Sequence, residues 1–214
     1  MDEEITIIDI NTRNEKIKNF FKENKKLLIS IFIVLVLILV SFYSYQIYKN
    51  VHREILANKY NSAVIEYEKG DKSKVTSLMK EVIEDKDSTY SPLGLYFLID
   101  NNLLKDVSQT NRLFDVVINE VNLDKEIKNL IIYKKALFNS NFLNENELIK
   151  MLNPIINTES IWKSHALYLV GEYFFSKNET QKAKEFFDKI LTLSSSNTEI
   201  KLETQKRLNR DFSE

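Results

Sequence analysis

The chain has 214 residues, room for one ordinary domain with an appendage or for two small domains. Thirty Lys and Arg against 31 Asp and Glu leave a formal net charge of −1, so there is no concentrated basic face for nucleic acid. With no cysteine, a disulfide framework and thiolate metal ligation are both excluded. Three Gly and two Pro stand among abundant Leu, Ile, Lys, Asn and Glu, which favours long helices joined by short turns over a many-stranded sheet.

Residues 1–26 form a polar, neutral tail. Thr12 and Glu15 read as a capping box for a helix that carries Ile17, Phe20 and Phe21 on one side. That helix is either a short amphipathic segment on a membrane surface or, the favoured reading, the run-in to the apolar stretch beyond it. Ile5, Ile7, Ile8 and Ile10 are a candidate docking motif for a cytoplasmic partner.

Residues 27–48, Leu27 to Tyr48, contain no Asp, Glu, Lys, Arg or His. As a helix they extend roughly 33 Å, enough for a hydrocarbon core of about 30 Å. Tyr43, Tyr45 and Tyr48 gather at one end, and Lys25 and Lys26 close the other. A buried core helix of this length with no polar face does not suit so small a protein. A cleaved signal peptide calls for a shorter apolar run and a small-x-small site after it. The expectation is a single transmembrane helix. Arg13, Lys16, Lys18, Lys22, Lys25 and Lys26 precede it, and only Lys49, Arg53 and Lys59 come closely after it, which places the N-terminus in the cytoplasm. The domain plan is thus 1–26 cytoplasmic tail, 27–48 span and 49–214 extracytoplasmic helical domain.

From Val51 onward apolar residues recur at three- and four-residue steps. Helices are expected near 50–69, 72–84, 90–103, 109–120, 124–139, 144–153, 160–176, 179–193 and 197–209. Gly70-Asp71 reads as a C′ glycine followed by an N-cap, and Asn178 takes a left-handed position. Pro92 suits a first turn, and Pro154 is expected to end or kink its helix. Trp162 is expected to be buried, with its ring N–H bonded to a carbonyl.

A repeat underlies these helices. Leu167, Val170, Gly171 and Phe174 are followed by Ala183, Phe187 and Ile190, the spacing of a tetratricopeptide unit. The small residue belongs where two paired helices cross closely. Ala63 with Val75, and Ala136 with Leu148, repeat the interval from Gly171 to Ala183. Residues 90–120 break the pattern, with no small residue at the expected crossing. The competing reading is an unrelated helical bundle with accidental spacing. The expected architecture is all-α: one N-terminal transmembrane helix, then a TPR-like α-solenoid of paired antiparallel helices.

The tail motif Ile17-Lys18-Asn19-Phe20-Phe21-Lys22-Glu23-Asn24, the single span, Gly70-Asp71, Ser88-Thr89-Tyr90 and the Gly171…Ala183 repeat together resemble the ancillary SecYEG translocon subunit family, YfgM-like, with a tetratricopeptide repeat-like domain. The resemblance covers nearly the whole chain, with Asn178 where that family commonly has Gly. It implies a bacterial inner-membrane protein with a periplasmic domain. The implied partners are Sec translocon subunits, a periplasmic peptidyl-prolyl isomerase-type chaperone and newly exported chains, with the bilayer contacted through residues 27–48. The alternative is a membrane-tethered scaffold for envelope assembly or cell division.

No enzyme chemistry is expected. His52 and His165 are the only histidines and have no metal-ligating partner at helical spacing, and Gly70, Gly94 and Gly171 are too dispersed to cradle a phosphate. No cofactor, metal, nucleic acid or small-molecule substrate is expected. Stacked repeats bind partners along their first helices, which in the best unit nominates His165, Tyr168, Glu172 and Phe175. Ala63, Val75, Ala136, Leu148, Gly171, Phe174, Ala183 and Phe187 are the candidate packing positions.

Overall fold

The computed structural model describes residues 15–212, which are helical with connecting turns and contain no strand. The capping box at Thr12 and the isoleucines from Ile5 to Ile10 lie outside the described residues. The chain divides into two compact units, Met1–Ile55 and Leu56–Glu214.

In the first unit, α1 covers residues 15–23 and α2, Lys25–Glu68, begins one residue later. Helical bonding carries through the junction: Asn24 N donates to Phe20 O at 3.0 Å and Leu28 N to Asn24 O at 2.9 Å. The apolar stretch of α2 is long enough to cross a membrane, and none of its apolar window is buried against protein. The sequence suggested a separate helix from residue 50, but α2 runs on without a break. Tyr48-Lys49-Asn50-Val51 holds neither Gly nor Pro, so nothing stops helix propagation there.

In the second unit the end of α2 is followed by α3 (Lys72–Glu84), α4 (Tyr90–Asp100), α5 (Val107–Glu120) and α6 (Lys125–Asn139). Then come α7 (Glu145–Ile156), α8 (Lys163–Ser176), α9 (Thr180–Thr192) and α10 (Thr198–Asp211). The turns obey residue chemistry. Gly70 takes φ +90°, which costs an L side chain but not glycine, and Asp71 caps α3 by accepting from Lys74 N at 3.0 Å. Asn178 has φ 62°, and the next amide, Glu179 N, reaches back to Phe174 O at 2.9 Å, closing α8. Asp106, Asp124 and Asn197 cap α5, α6 and α10 with their side-chain oxygens.

α8 begins at Lys163 rather than 160, and two further boundaries differ for reasons visible in the backbone. α4 stops at Asp100 because Asn102 turns left-handed at φ 54° and Leu103 N bonds Leu98 O. α7 runs through Pro154 to Ile156 rather than ending before it, and Asn157 N bonding Asn153 O at 3.1 Å restores the ladder beyond the ring.

The core runs from the end of α2 through α9, with Ile200 and Leu208 of α10 packed partly buried against it, and Phe114, Phe174 and Phe187 are among its largest fully buried side chains. Ala63, Val75, Ala136, Leu148, Gly171, Phe174, Ala183 and Phe187 are all buried. Gly171 lies where α8 crosses α9: a Cβ there would sit 2.5 Å from Cε1 of Phe187. In the unit spanning 90–120 the small residue faces the other way. A Cβ on Gly94 would meet Ile83 Cγ1 at 3.2 Å and Met79 O at 3.3 Å, so α4 presses back against α3. Ser91 Oγ donates to Val82 O at 3.1 Å on the same side. That reversal is why the repeat pattern fades there.

Two stability changes are expected, both readable from the fluorescence of Trp162, the chain's one tryptophan, during urea unfolding. Gly171→Ala gains about 1 kcal/mol in helix propensity but overpacks a fully buried ring at roughly 1–3 kcal/mol, for a net loss of about 1 kcal/mol. Adding Phe187→Leu opens the crossing, so the two changes couple favourably by about 0.5 kcal/mol or more. Additive losses would show that Phe187 moves aside freely. Asn144 and Glu147 form a reciprocal capping box at 3.1 and 3.0 Å, and Asn144→Ala lowers stability by about 1 kcal/mol with the urea slope unchanged.

Candidate functional site

The second unit presents two rows of helices with different chemistry. The first-helix row is α2, α4, α6, α8 and α10, and aromatic and cationic side chains join its neighbours. Tyr60 of α2 meets Tyr90 and Phe97 of α4 at 6.0 and 6.3 Å between ring centroids, and Tyr67 meets Phe97 edge-on at 5.3 Å. Lys134 of α6 lies 4.7 Å over the Tyr96 ring of α4 and 3.7 Å from Asp100. Tyr133 of α6 stacks with Trp162 at 6.3 Å and meets His165 of α8 at 5.9 Å. The second-helix row is joined by exposed polar pairs instead. Lys80 bonds Gln109 at 2.7 Å, Arg112 pairs with Glu84, and Lys182 of α9 pairs with Glu145 of α7 at 3.0 Å.

Contacts between successive units keep the repeat period. Lys125 reaches Glu159 O and Ser160 reaches Glu126 across 34 residues. Glu172 and Arg207 pair across 35, and Asn197 bonds Ser164 across 33. α10 therefore stands where the first helix of a further unit would stand.

His165, Tyr168, Glu172 and Phe175 share one side of α8, and all four are half-buried. His165 packs among Tyr133 and Trp162, the latter at 5.1 Å. Tyr168 lies 5.5 Å from the Phe187 ring. Glu172 Oε2 accepts from Arg207 at 2.8 Å. The Arg207 guanidinium lies 4.2 Å over the Phe175 ring, and Phe212 meets Phe175 at 5.5 Å. Two of the four nominated residues, Glu172 and Phe175, thus share their face with α10 through Arg207. Trp162 is half-buried rather than buried, because it precedes α8 and stacks on Tyr133 at the rim instead of entering the core.

Arg207, Phe212, Tyr96, Lys134 and Tyr133 were not singled out in the sequence. Their signal was available in the period: Arg207 falls one repeat after Glu172. The aromatic positions of α2, α4 and α6 gave no such mark, since a ring at helical spacing reads equally as core.

Burial pushes the Tyr96 hydroxyl up to about 12, with Asp100 adding to it. Tyr168 is also pushed up to about 12, by burial first and then by Glu172 and Glu203. Both stay neutral hydrogen-bonding groups at physiological pH. Burial lowers the His165 pKa, and Glu199 partly opposes it. Among the described residues four buried side-chain polar atoms have no partner within the chain: Tyr96 Oη, His165 Nδ1, Glu172 Oε1 and Arg207 Nε. All four belong to the first-helix row. Among the same residues no three metal-ligating side chains converge. The arrangement suits recognition of another surface.

No curated protein and no solved structure matches the chain. The model of the family described as "Tetratricopeptide repeat-like domain" matches residues 18–209, taking in the lead-in, the apolar stretch of α2 and every helix pair. TPR-like domains serve in general as protein-interaction modules. With the period, the paired helices and the extent of that match in agreement, the chain belongs to the tetratricopeptide repeat-like domain family.

Proposed function

We propose that this protein is a membrane-anchored interaction module, an ancillary subunit of the Sec translocon that assists newly exported proteins together with a periplasmic peptidyl-prolyl isomerase-type chaperone. In this reading residues 1–26 are cytoplasmic, 27–48 span the inner membrane, and 49–214 form the periplasmic domain. The excess of Lys and Arg before the span supports that orientation. The order of tail, span and repeats, together with the motifs shared with the YfgM-like family, supports the translocon assignment.

The observation that carries the binding role is the placement of the four unpartnered polar atoms. A buried donor or acceptor left without a hydrogen bond costs about 1–3 kcal/mol, and here that cost falls wholly on one row. These atoms are covered in the unbound chain, so a partner laid along the row meets them only as the half-buried side chains that carry them turn outward. His165, Tyr168, Glu172 and Phe175 form the α8 section of this face, continued by Tyr96 and Lys134 toward the N-terminal repeats.

Photo-crosslinkers at Trp162, His165 and Glu172 in living cells test the assignment. Adducts to translocon subunits, the chaperone or exported chains are expected. Adducts confined to division or envelope-assembly proteins would replace the translocon role with that of a scaffold. The face has its own test in Tyr96→Phe, which removes a hydroxyl that the chain itself does not bond. Urea stability should stay within about 0.5 kcal/mol or rise, while partner capture falls roughly three- to tenfold. A stability loss above about 1 kcal/mol would assign the hydroxyl to the fold instead.

A further inference from the structure

The junction of α1 and α2 carries a feature that the interaction role does not use. Because helical bonding runs through Asn24, residues 18–32 keep one register. Phe21, Lys25, Leu28, Ile29 and Phe32 line a shallow surface pocket of about 290 Å³ on that helix. These positions step by i, i+4, i+7, i+8 and i+11, which at 3.6 residues per turn confines them to a face about 100° wide. The pocket is almost wholly apolar apart from the Lys25 ammonium.

Lys18 and Lys22 stand seven and three residues before Lys25, so they continue the same face outward from the apolar stretch. All three lysines are exposed. The acidic neighbour Glu23 falls on the opposite side of the turn, at about 160° from Lys25. From Lys18 to Lys25 the helix rises roughly 10 Å, comparable with the depth of a headgroup layer, and from Lys25 to Phe32 it descends about as far into hydrocarbon. One face therefore presents a column of three cations directly above an apolar notch.

We infer that the α1–α2 face made by Lys18, Phe21, Lys22, Lys25, Leu28, Ile29 and Phe32 is a binding site for a single anionic phospholipid. Its headgroup lies along the lysine column. Its acyl chain lies against Leu28, Ile29 and Phe32, and the Phe21 ring covers the glycerol level. The inference rests on reading α2 as a membrane span. Two features select a lipid over a soluble anion: the apolar half of the pocket, and its continuity with the exposed apolar surface of α2, where Phe32 is 66% exposed. Charge selects an anionic lipid over a zwitterionic one, because a zwitterion brings its own cation into the column.

The test uses the full-length protein in phosphatidylcholine bilayers containing spin-labelled phosphatidylglycerol or, in parallel, spin-labelled phosphatidylcholine. The motionally restricted fraction of each gives their relative association. Wild type should prefer phosphatidylglycerol about fivefold or more, as expected for lysines at a charged membrane surface. Lys18→Gln/Lys22→Gln/Lys25→Gln should bring that ratio close to one, while Lys49→Gln, at the other end of the span, should leave it unchanged. Equal association of the two lipids with wild type, or a preference that survives the triple change, overturns the site. Alkaline carbonate extraction separates the two ways of failing. A protein that stays in the pellet without lipid preference loses the site but keeps the span, whereas release into the supernatant overturns both.

Discussion

Two glycines decide how closely the helices of the second unit pack. At Gly171 the missing Cβ admits the Phe187 ring of α9 into space that any other residue would fill. That ring also meets Tyr168 of α8 at 5.5 Å and Phe212, just past α10, at 5.8 Å. A single buried aromatic thus ties three helices, and it does so only at the depth that the glycine permits. The consequence reaches the surface. With α10 drawn against α8, Arg207 comes within 2.8 Å of Glu172 and covers Phe175. The face of the last repeat is set by a contact in its core.

Much of this was legible because repeat proteins write their contacts at a fixed interval. Gly171, Ala183 and Phe187 stand out in one dimension since a close helix crossing needs a small residue opposite a large one. The turns at Gly70 and Asn178 were equally plain, each being a left-handed position that few residues take without cost. Residues 90–120 were opaque for the same physical reason read backwards. Gly94 faces α3 rather than α5, and a pattern that seeks the small residue against the following helix passes over it. Pro154 does not end its helix at once, because its ring removes a single helical hydrogen bond, which α7 absorbs within its last turn before stopping at Ile156. The site was legible only in part. His165, Tyr168, Glu172 and Phe175 follow from the face of one helix, whereas Arg207 and Lys134 matter through which helix stands beside them, a tertiary fact.

The two rows divide the labour of the unit. Exposed charged pairs such as Lys182–Glu145 hold the second helices in line, each adding little, as surface pairs do. The first helices are held by ring stacking and by cations over rings, which tolerate small shifts in position and leave aromatic edges partly open. The unpartnered polar atoms fall in this second setting. Tyr96, whose hydroxyl is among them, lies under Lys134, and Lys134 also faces Asp100, so charge, ring and an unused hydroxyl meet at one place between α4 and α6. Half-buried aromatics beside hydrogen-bonding groups are the composition by which protein surfaces are recognised.

Anchoring changes how strong such a face has to be. A soluble module must overcome the full loss of translational and rotational freedom at each encounter, several kcal/mol at the least. A module tethered beside its partner in the same bilayer meets it at high effective concentration, so contacts too weak to hold in solution become adequate. A face built from a few open rings and unmet hydrogen-bonding atoms, without a deep pocket, fits that regime. A lipid held at the α1–α2 junction would act in the same direction. It would fix the depth of the helix through Lys25.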